Sequence, residues 1–213
     1  MSENKDYEHI DSWKNSKIAF KKQLELNKKQ LAGEFPPHWN NFVKALKKTK
    51  PKRVVDIGCG AGCYYPICKD LEIDYIGYDY SDRAVFLADE AWGWPGTFFN
   101  LGYQDITSAH IHSGDIVVAN GLVDILPNGD ECLQHLLSIN ADRLLIQRIR
   151  ITDEPSYFTE YSPYDITTYE FFYNKKDLFK AVQDAGYVFD KVARIFNPSE
   201  NVFDIEVRKP NDT

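Results

Sequence analysis

Arg53-Val-Val-Asp-Ile-Gly-Cys-Gly-Ala-Gly-Cys-Tyr-Tyr65 is the stretch from which the rest of the chain is read. Val54, Val55 and Ile57 are β-branched and almost continuous, the pattern of a strand covered on both faces in a parallel sheet. Gly58, Gly60 and Gly62 follow at once. Glycine admits positive φ and lets a ligand come close to the backbone. Strand, glycine turn and helix together make a βα unit that can hold an anionic or dipolar ligand. Asp56 lies two residues before the first glycine, and a carboxylate at the exit of a central strand needs a partner. A dinucleotide fingerprint requires G-x-G-x-x-G/A, but its third position here is Cys63. Asp56 would repel a phosphate and would suit a ligand carrying an ammonium group.

Residues Val55 to Gly62 resemble motif I of the class I S-adenosylmethionine-dependent methyltransferases, (V/L)-D-(I/L)-G-C-G-x-G. The resemblance implies an α/β, Rossmann-like fold. Its mostly parallel seven-stranded sheet would end in a C-terminal antiparallel hairpin, with helices on both faces and an N-terminal helical cap. It also implies S-adenosyl-L-methionine as cofactor and S-adenosyl-L-homocysteine as product. Asp56 would then lie near the methionine ammonium, with the Gly58-Cys59-Gly60 backbone beneath the methionine portion. A plain chain-reversing turn is the competing reading of the glycines.

A chain of 213 residues suits a single domain with a sizeable core, and 43% hydrophobic residues is a globular composition. Twenty-five basic against 32 acidic residues give a net charge of −7. That balance disfavours a nonspecific grip on nucleic acid. The four cysteines, Cys59, Cys63, Cys68 and Cys132, contain no C-x-x-C pair, so they read as packing residues or free thiols and no metal site is expected. No apolar run has membrane length and no signal-peptide pattern occurs, so the expected location is cytoplasmic.

Residues 1–50 read as the helical cap and 51–213 as the methyltransferase domain, with 1–8 polar and frayed. Ile18, Leu24 or Leu26, and Leu31 can share one face of a helix from about Ile10 to Leu31, with lysines opposite. Gly33 ends it. A second helix opens at Phe35-Pro-Pro-His38-Trp39, carries the stripe Trp39, Phe42, Val43 and Leu46, and stops before Pro51. His38 and Trp39 either line a pocket or form an ordinary core aromatic beside a surface histidine.

Downstream, a short helix runs from Cys63 to Lys69, and Ile73 to Tyr78 reads as the second strand, ending in Asp79. An acidic residue about twenty positions after the glycines can take both ribose hydroxyls of a nucleoside. The methyltransferase family also places an acid here, so Asp79 alone does not separate the two cofactor classes. Tyr80 is placed to stack on adenine. Ser81-Asp82 caps a helix that ends in the turn Trp92-Gly-Trp-Pro-Gly96. Phe98-Phe99 is a third strand. By the resemblance, Asp105 would accept the adenine amino group, with Ile106 against the ring; a surface turn is the alternative. His110 and His112 read as solvated loop histidines.

Asp115 to Asn120 is the fourth strand, and Gly121 to Pro127 resembles the family segment x-x-x-L-x-H-(L/I)-x-D. That likeness puts the Asn120 backbone and Leu122 beside the cofactor. The position of the usual histidine is held by Asp124, a departure that leaves a carboxylate as candidate base. No Asn-Pro-Pro-Tyr tetrad occurs, which argues against methylation of DNA base amino groups. A helix from Gly129 to Ile139 and a fifth strand from Arg143 to Ile151 follow. Residues 152–173 form a tyrosine-rich insert, read as a functional cap. Asn174 caps a helix closed by Gly186, and Tyr187–Ile195 with Val202–Arg208 form the terminal hairpin around Pro198 and Asn201.

The reading that unites these features is methyl transfer to a small-molecule acceptor, with no nucleic acid or membrane partner. Asp124, His38 and Tyr161 are the candidate catalytic groups. Arg148 and Arg150, on one face of the fifth strand, either pair with Asp124, Asp153 or Glu154 as a structural network or hold an anionic or sugar-type acceptor, with Tyr157 and Tyr164 closing over it. The alternatives are a binding or regulatory module of the same fold without turnover, and a nicotinamide-dependent oxidoreductase, which Cys63 disfavours.

Overall fold

A computed structural model describes residues 7–16, 18–93, 96–196 and 200–210. Residues 1–6 of the frayed terminus, Trp94-Pro95 of the turn and Pro198 of the hairpin loop lie outside the described residues. Among the described residues, nine strands form one sheet: β1 (Arg53–Ile57), β2 (Asp74–Asp79), β3 (Phe98–Asn100), β4 (Asp115–Asn120), β5 (Arg143–Thr152), β6 (Tyr157–Tyr161), β7 (Thr168–Asn174), β8 (Val188–Ile195) and β9 (Val202–Arg208). The run β3-β2-β1-β4-β5 is parallel throughout. β9 lies antiparallel to both β5 and β8. These seven strands are the expected ones, in a Rossmann-like arrangement.

Two more strands come from the insert. Residues 152–173 were expected as a cap over the domain; most of the segment folds into an antiparallel hairpin, β6 against β7, from Tyr157↔Phe172 to Tyr161↔Thr168. β7 also runs parallel to the end of β5, from Arg150↔Phe172 to Thr152↔Asn174. At Arg150 the opposite edge of β5 is taken by β9. β7 therefore occupies the edge that β4 leaves free when it stops at Asn120↔Gln147. Aromatic residues at every second position of Thr168-Tyr-Glu-Phe-Phe-Tyr173 suit such a half-buried strand, with Tyr169, Phe171 and Tyr173 facing inward.

The α-helices of the described residues are α1 (Ser12–Asn15), α2 (Ala19–Ala32), α3 (Pro37–Thr49), α4 (Tyr65–Asp70), α5 (Asp82–Trp92), α6 (Gly129–Ser138) and α7 (Lys175–Asp184). On one face of the sheet, Val54, Ile116, Val118 and Leu145 pack against Trp39, Phe42 and Leu46 of α3 and Ile67 and Cys68 of α4. On the other, Val55, Ile57, Val117, Leu144 and Ile146 meet Leu133, Leu136 and Leu137 of α6 and Leu178 and Val182 of α7. Strand alternation thus delivers the two-sided burial expected of the first strand.

The first helix differs from the expectation. It breaks at Ser16, whose ψ of 130° is extended and whose Oγ accepts from Ala19 N at 2.9 Å, capping a new start. The buried positions of α2 are Ala19, Phe20, Leu24 and Asn27, whereas Ile18 and Leu26 are exposed. Phe20 and Leu24, four apart, set the face instead.

Candidate active site

All three motif glycines have positive φ, 75° at Gly58, 53° at Gly60 and 71° at Gly62. Gly62 is there for packing: a Cβ on it would stand 2.5 Å from the Phe98 ring. Gly58 N and Cys59 N both donate to Tyr78 O, at 2.8 and 3.0 Å, which ties the turn to the end of β2. The turn then passes beneath α2, where Gln23 Oε1 accepts from Ala61 N at 3.4 Å.

Asp79 ends β2 fully enclosed. Its Oδ2 accepts from Gly60 N and its Oδ1 from Ser81 N, both at 2.9 Å. Burial lifts its carboxyl to about 6, and the two backbone N–H groups oppose that rise. Asp56 is also buried. Tyr75 Oη donates to its Oδ2 at 2.7 Å, while Oδ1 has no hydrogen-bond partner. Burial raises Asp56 to about 7, the Tyr75 hydrogen bond pulls it down, and Asp79 adds a further rise.

Above these groups lies a cavity of about 410 Å³, floored by Gly58, Gly60, Asp79, Asn120, Leu122 and Asp124. Its far wall is Arg148, Arg150 and Glu170, and its roof includes Trp13, Phe20, Tyr161 and Tyr164. A side recess of about 70 Å³ reaches Asp56, His38, Cys59 and Asn27, and shares Gln23, Gly58, Asn120, Arg148 and Tyr164 with the main cavity. The roof joins two distant segments. Trp13 packs on Phe20 and on Tyr164, with ring centroids 5.4 and 5.7 Å apart. Tyr7 meets Phe158 and Tyr169, His9 N donates to Tyr169 Oη at 3.1 Å, and Lys22 pairs with Asp165. Tyr80 Oη accepts from Lys14 N at 3.1 Å, so α1 leans on the end of β2.

The Arg148–Arg150 wall depends on an irregularity in β5. Ile146 pairs with Ile205, but Ile149 pairs with Phe203, so three steps on β5 match two on β9. Arg148 sits in this bulge with φ 65°. Asp204 Oδ1 accepts from Arg148 N at 3.1 Å, and the Arg148 Nε donates to Asn120 Oδ1 at 2.9 Å. Gly121 is required beneath the guanidinium, because a Cβ there would overlap it. Arg150 is spent differently: it pairs with Glu170 and lies over the Phe172 ring, 5.7 Å from its centroid.

Asp124 is 6% exposed and its Oδ1 has no partner. Its loop is fixed from the insert, since Phe171 N donates to Asp124 O at 2.8 Å and Tyr173 Oη to Val123 O at 3.1 Å. Burial raises the Asp124 carboxyl to about 6, against the pull of Arg148 and Arg150. His38 is driven the other way, to about 3, by burial and by Arg148. It is therefore neutral and a weak proton acceptor.

Of the residues singled out in the sequence, Gly58, Gly60, Asp79, Tyr80, Asn120, Leu122, Asp124, Arg148, Arg150, Tyr161 and Tyr164 converge on the cavity, and Asp56, Cys59 and His38 on its recess. Three lie elsewhere. Asp105 is on an exposed 3-10 turn, its Oδ2 3.7 Å from where a Gly102 Cβ would be, and that point is equally far from Tyr80 Cβ. Ile106 is completely buried in the α6–α7 core and offers no side-chain surface to a ring. Tyr157 stacks on Phe172 on the exposed side of the hairpin, at 4.7 Å and 7°. Sequence reading missed Trp13, Phe20, Gln23, Gly121 and Glu170. Gly121 carried a usable signal, a glycine directly after a strand that ends in Asn120.

The fold recurs in solved structures. Magnesium protoporphyrin IX methyltransferase from Synechocystis PCC 6803, with bound S-adenosylmethionine, is 16% identical over 94% of this chain and 90% of its own, at a TM-score of 0.58. The 1,6-didemethyltoxoflavin-N1-methyltransferase of Burkholderia thailandensis, with 1,6-didemethyltoxoflavin and S-adenosylhomocysteine, is 13% identical over 92% of each chain, at 0.60. A methyltransferase from Clostridium acetobutylicum is 8% identical over 89% of this chain and 98% of its own, at 0.62. No curated protein matches by sequence. The family model for the methyltransferase domain matches residues 32–192, well over half of the chain. The chain belongs to that methyltransferase family, and its sheet is the class I, Rossmann-like form of the fold.

Proposed function

We propose that the protein is an S-adenosylmethionine-dependent methyltransferase acting on a small-molecule acceptor. The observation that carries this reading is the unpartnered Oδ1 of Asp56, buried in the recess that Gly58 and Cys59 also line. A buried carboxylate without a partner is costly, and an ammonium group placed there would satisfy both its charge and its free lone pairs. Asp79, at the next strand end, keeps lone pairs for ribose hydroxyls beyond the two N–H groups it already accepts. Tyr80, Asn120 and Leu122 line the remaining path. The Synechocystis and Burkholderia neighbours, crystallised with S-adenosylmethionine and S-adenosylhomocysteine, support the same cofactor.

When bound, that cofactor supplies a methyl group already activated by its sulfonium. What remains for the chain is to align an acceptor, exclude water and take up a proton where one is released. The Trp13-Phe20-Tyr164 roof excludes water. Asp124, ionised above about pH 6, is the proton acceptor best placed in the cavity, with Tyr161 and His38 weaker candidates. Support for a small acceptor comes from the roof itself, which the N-terminal segment and the insert close from two sides. The Burkholderia neighbour, bound to 1,6-didemethyltoxoflavin, is consistent with it.

Calorimetry with S-adenosylmethionine and S-adenosylhomocysteine is the direct test, followed by transfer of labelled methyl to a metabolite extract. Saturable binding of both cofactor forms is expected, with label in low-mass product. Absence of heat with either form sinks the reading, and binding without any labelled product reduces the protein to a cofactor-binding module.

A further inference from the structure

The two arginines of the far wall are not equivalent. The Arg150 guanidinium is neutralised by Glu170 and covered by Phe172. Arg148 makes no ion pair among the described residues: its hydrogen bonds go to the side-chain amide and the backbone carbonyl of Asn120. Those contacts neutralise nothing and leave guanidinium donors over for a ligand. The chain also goes to structural expense to keep Arg148 there, through a left-handed residue in a bulge, the Asp204 carboxylate on its N–H, and a glycine beneath the guanidinium. A cation held in this way at a cavity wall matches a carboxylate or phosphate. Asp124 lines the same cavity, and its buried Oδ1 has no hydrogen-bond partner.

Resting on the methyltransferase reading above, we propose that the acceptor is a small acid bearing a hydroxyl or amino group: Arg148 pairs with its anionic group and Asp124 accepts a hydrogen bond from its hydroxyl or amino donor. Arg150 and Glu170 form a neutral wall that shapes the subsite without charging it. The charge pattern selects against neutral acceptors, which would leave Arg148 uncompensated, and against acids lacking the donor, which would leave Asp124 Oδ1 unsatisfied. The raised carboxyl of Asp124 agrees with this, since a donor supplied by the ligand would stabilise its charged form.

The test uses the full chain saturated with S-adenosylhomocysteine and a fixed probe set: lactate, the three hydroxybenzoate isomers, benzoate, and the corresponding amides. Binding is measured by calorimetry. At least one hydroxy acid is expected to bind tenfold or more tightly than its amide. Arg148→Gln should erase that preference, and Arg148→Lys should restore part of it. Asp124→Asn should weaken the hydroxy acid at least fivefold while leaving benzoate unchanged. S-adenosylhomocysteine affinity and melting temperature are recorded for each variant, so a misfolded Arg148→Gln is recognised and the equally uncharged Arg148→Met is read in its place. Failure of the wild type to bind S-adenosylhomocysteine would refute the methyltransferase reading itself. With that binding intact, an acid preference that survives in the uncharged Arg148 variant, or no acid binding at all, overturns the acceptor proposal.

Discussion

The two ends of the cavity are built in different ways. The β1–β2 end is made from backbone and short acids contributed by one run of chain, Asp56 to Ser81. Its carboxylates are partnered by main-chain N–H groups and one tyrosine. The β4–β5 end is assembled from Asn120, Gly121, Asp124, Arg148 and Glu170, and depends on a bulge and an inserted hairpin. One end suits a ligand of constant shape, because backbone geometry is insensitive to side-chain replacement. The other can be re-specified by changing a few side chains, as a family with varied acceptors requires.

The largest expected effect falls on the first end. If Asp79 holds the ribose as proposed, Asp79→Ala removes two charge-assisted bonds, each worth about 1.5–3 kcal/mol, and S-adenosylmethionine affinity should fall at least about tenfold by calorimetry. The same change strips acceptors from Gly60 N and Ser81 N, so the melting temperature should drop as well. Unchanged affinity would remove Asp79 from the site and erase the contrast between the ends.

Gly121→Ala probes the second end. The new Cβ would displace the Arg148 guanidinium at a residue whose φ is already 61°, at a cost of about 1–3 kcal/mol. Binding of hydroxy acids should fall while S-adenosylhomocysteine affinity stays within about twofold. Equal loss of both ligands would show that the ends are not separable.

The pH dependence of stability sharpens the comparison. Asp56, Asp79 and Asp124 have folded-state values above the usual carboxylate range, at about 7, 6 and 6. The folded state therefore binds more protons than the unfolded one between about pH 4 and 7, and stability falls as pH rises through that window. The ligand-free melting temperature should decline from pH 5 to 7.5. Saturating S-adenosylmethionine should flatten the decline, because its ammonium favours ionised Asp56; an undiminished slope would place the ammonium elsewhere.

Which of these features the sequence disclosed follows from locality. Asp56, the glycines and Asp79 lie on consecutive elements, so their places at the strand ends and in the turn follow from residue type, spacing and the likeness to motif I. Alternation also brought Arg148 and Arg150 to one cavity. It could not reveal that Arg150 is matched by Glu170 and Arg148 by an amide, because those partners arrive from β7 and β4. Ile106 failed for a related reason: a position beside the cofactor in a relative's motif carries no information on which way the side chain turns, and here it turns into the core. The insert's aromatic content argued against disorder, but not for a strand laid along the vacant edge of β5.

The smallest effect is expected at the roof. Lys22 and Asp165 are a half-exposed pair, and Lys22→Ala should cost well under about 1 kcal/mol. Its informative readout is kinetic, a faster release of S-adenosylhomocysteine in stopped-flow chase. An unaltered release rate would mean that the roof does not open at this contact.

The His9–Tyr169 hydrogen bond spans 160 residues of sequence. Contacts of such separation are slow to form, and during synthesis Tyr169 emerges long after His9 has left the ribosome. The nascent chain can therefore complete β1 to β4 while its leading segment still has nothing to close against. Roofing is then a late stage of assembly. On refolding, sheet ellipticity should recover before the fluorescence of Trp13 in a chain whose other tryptophans are replaced, and simultaneous recovery would show one cooperative step.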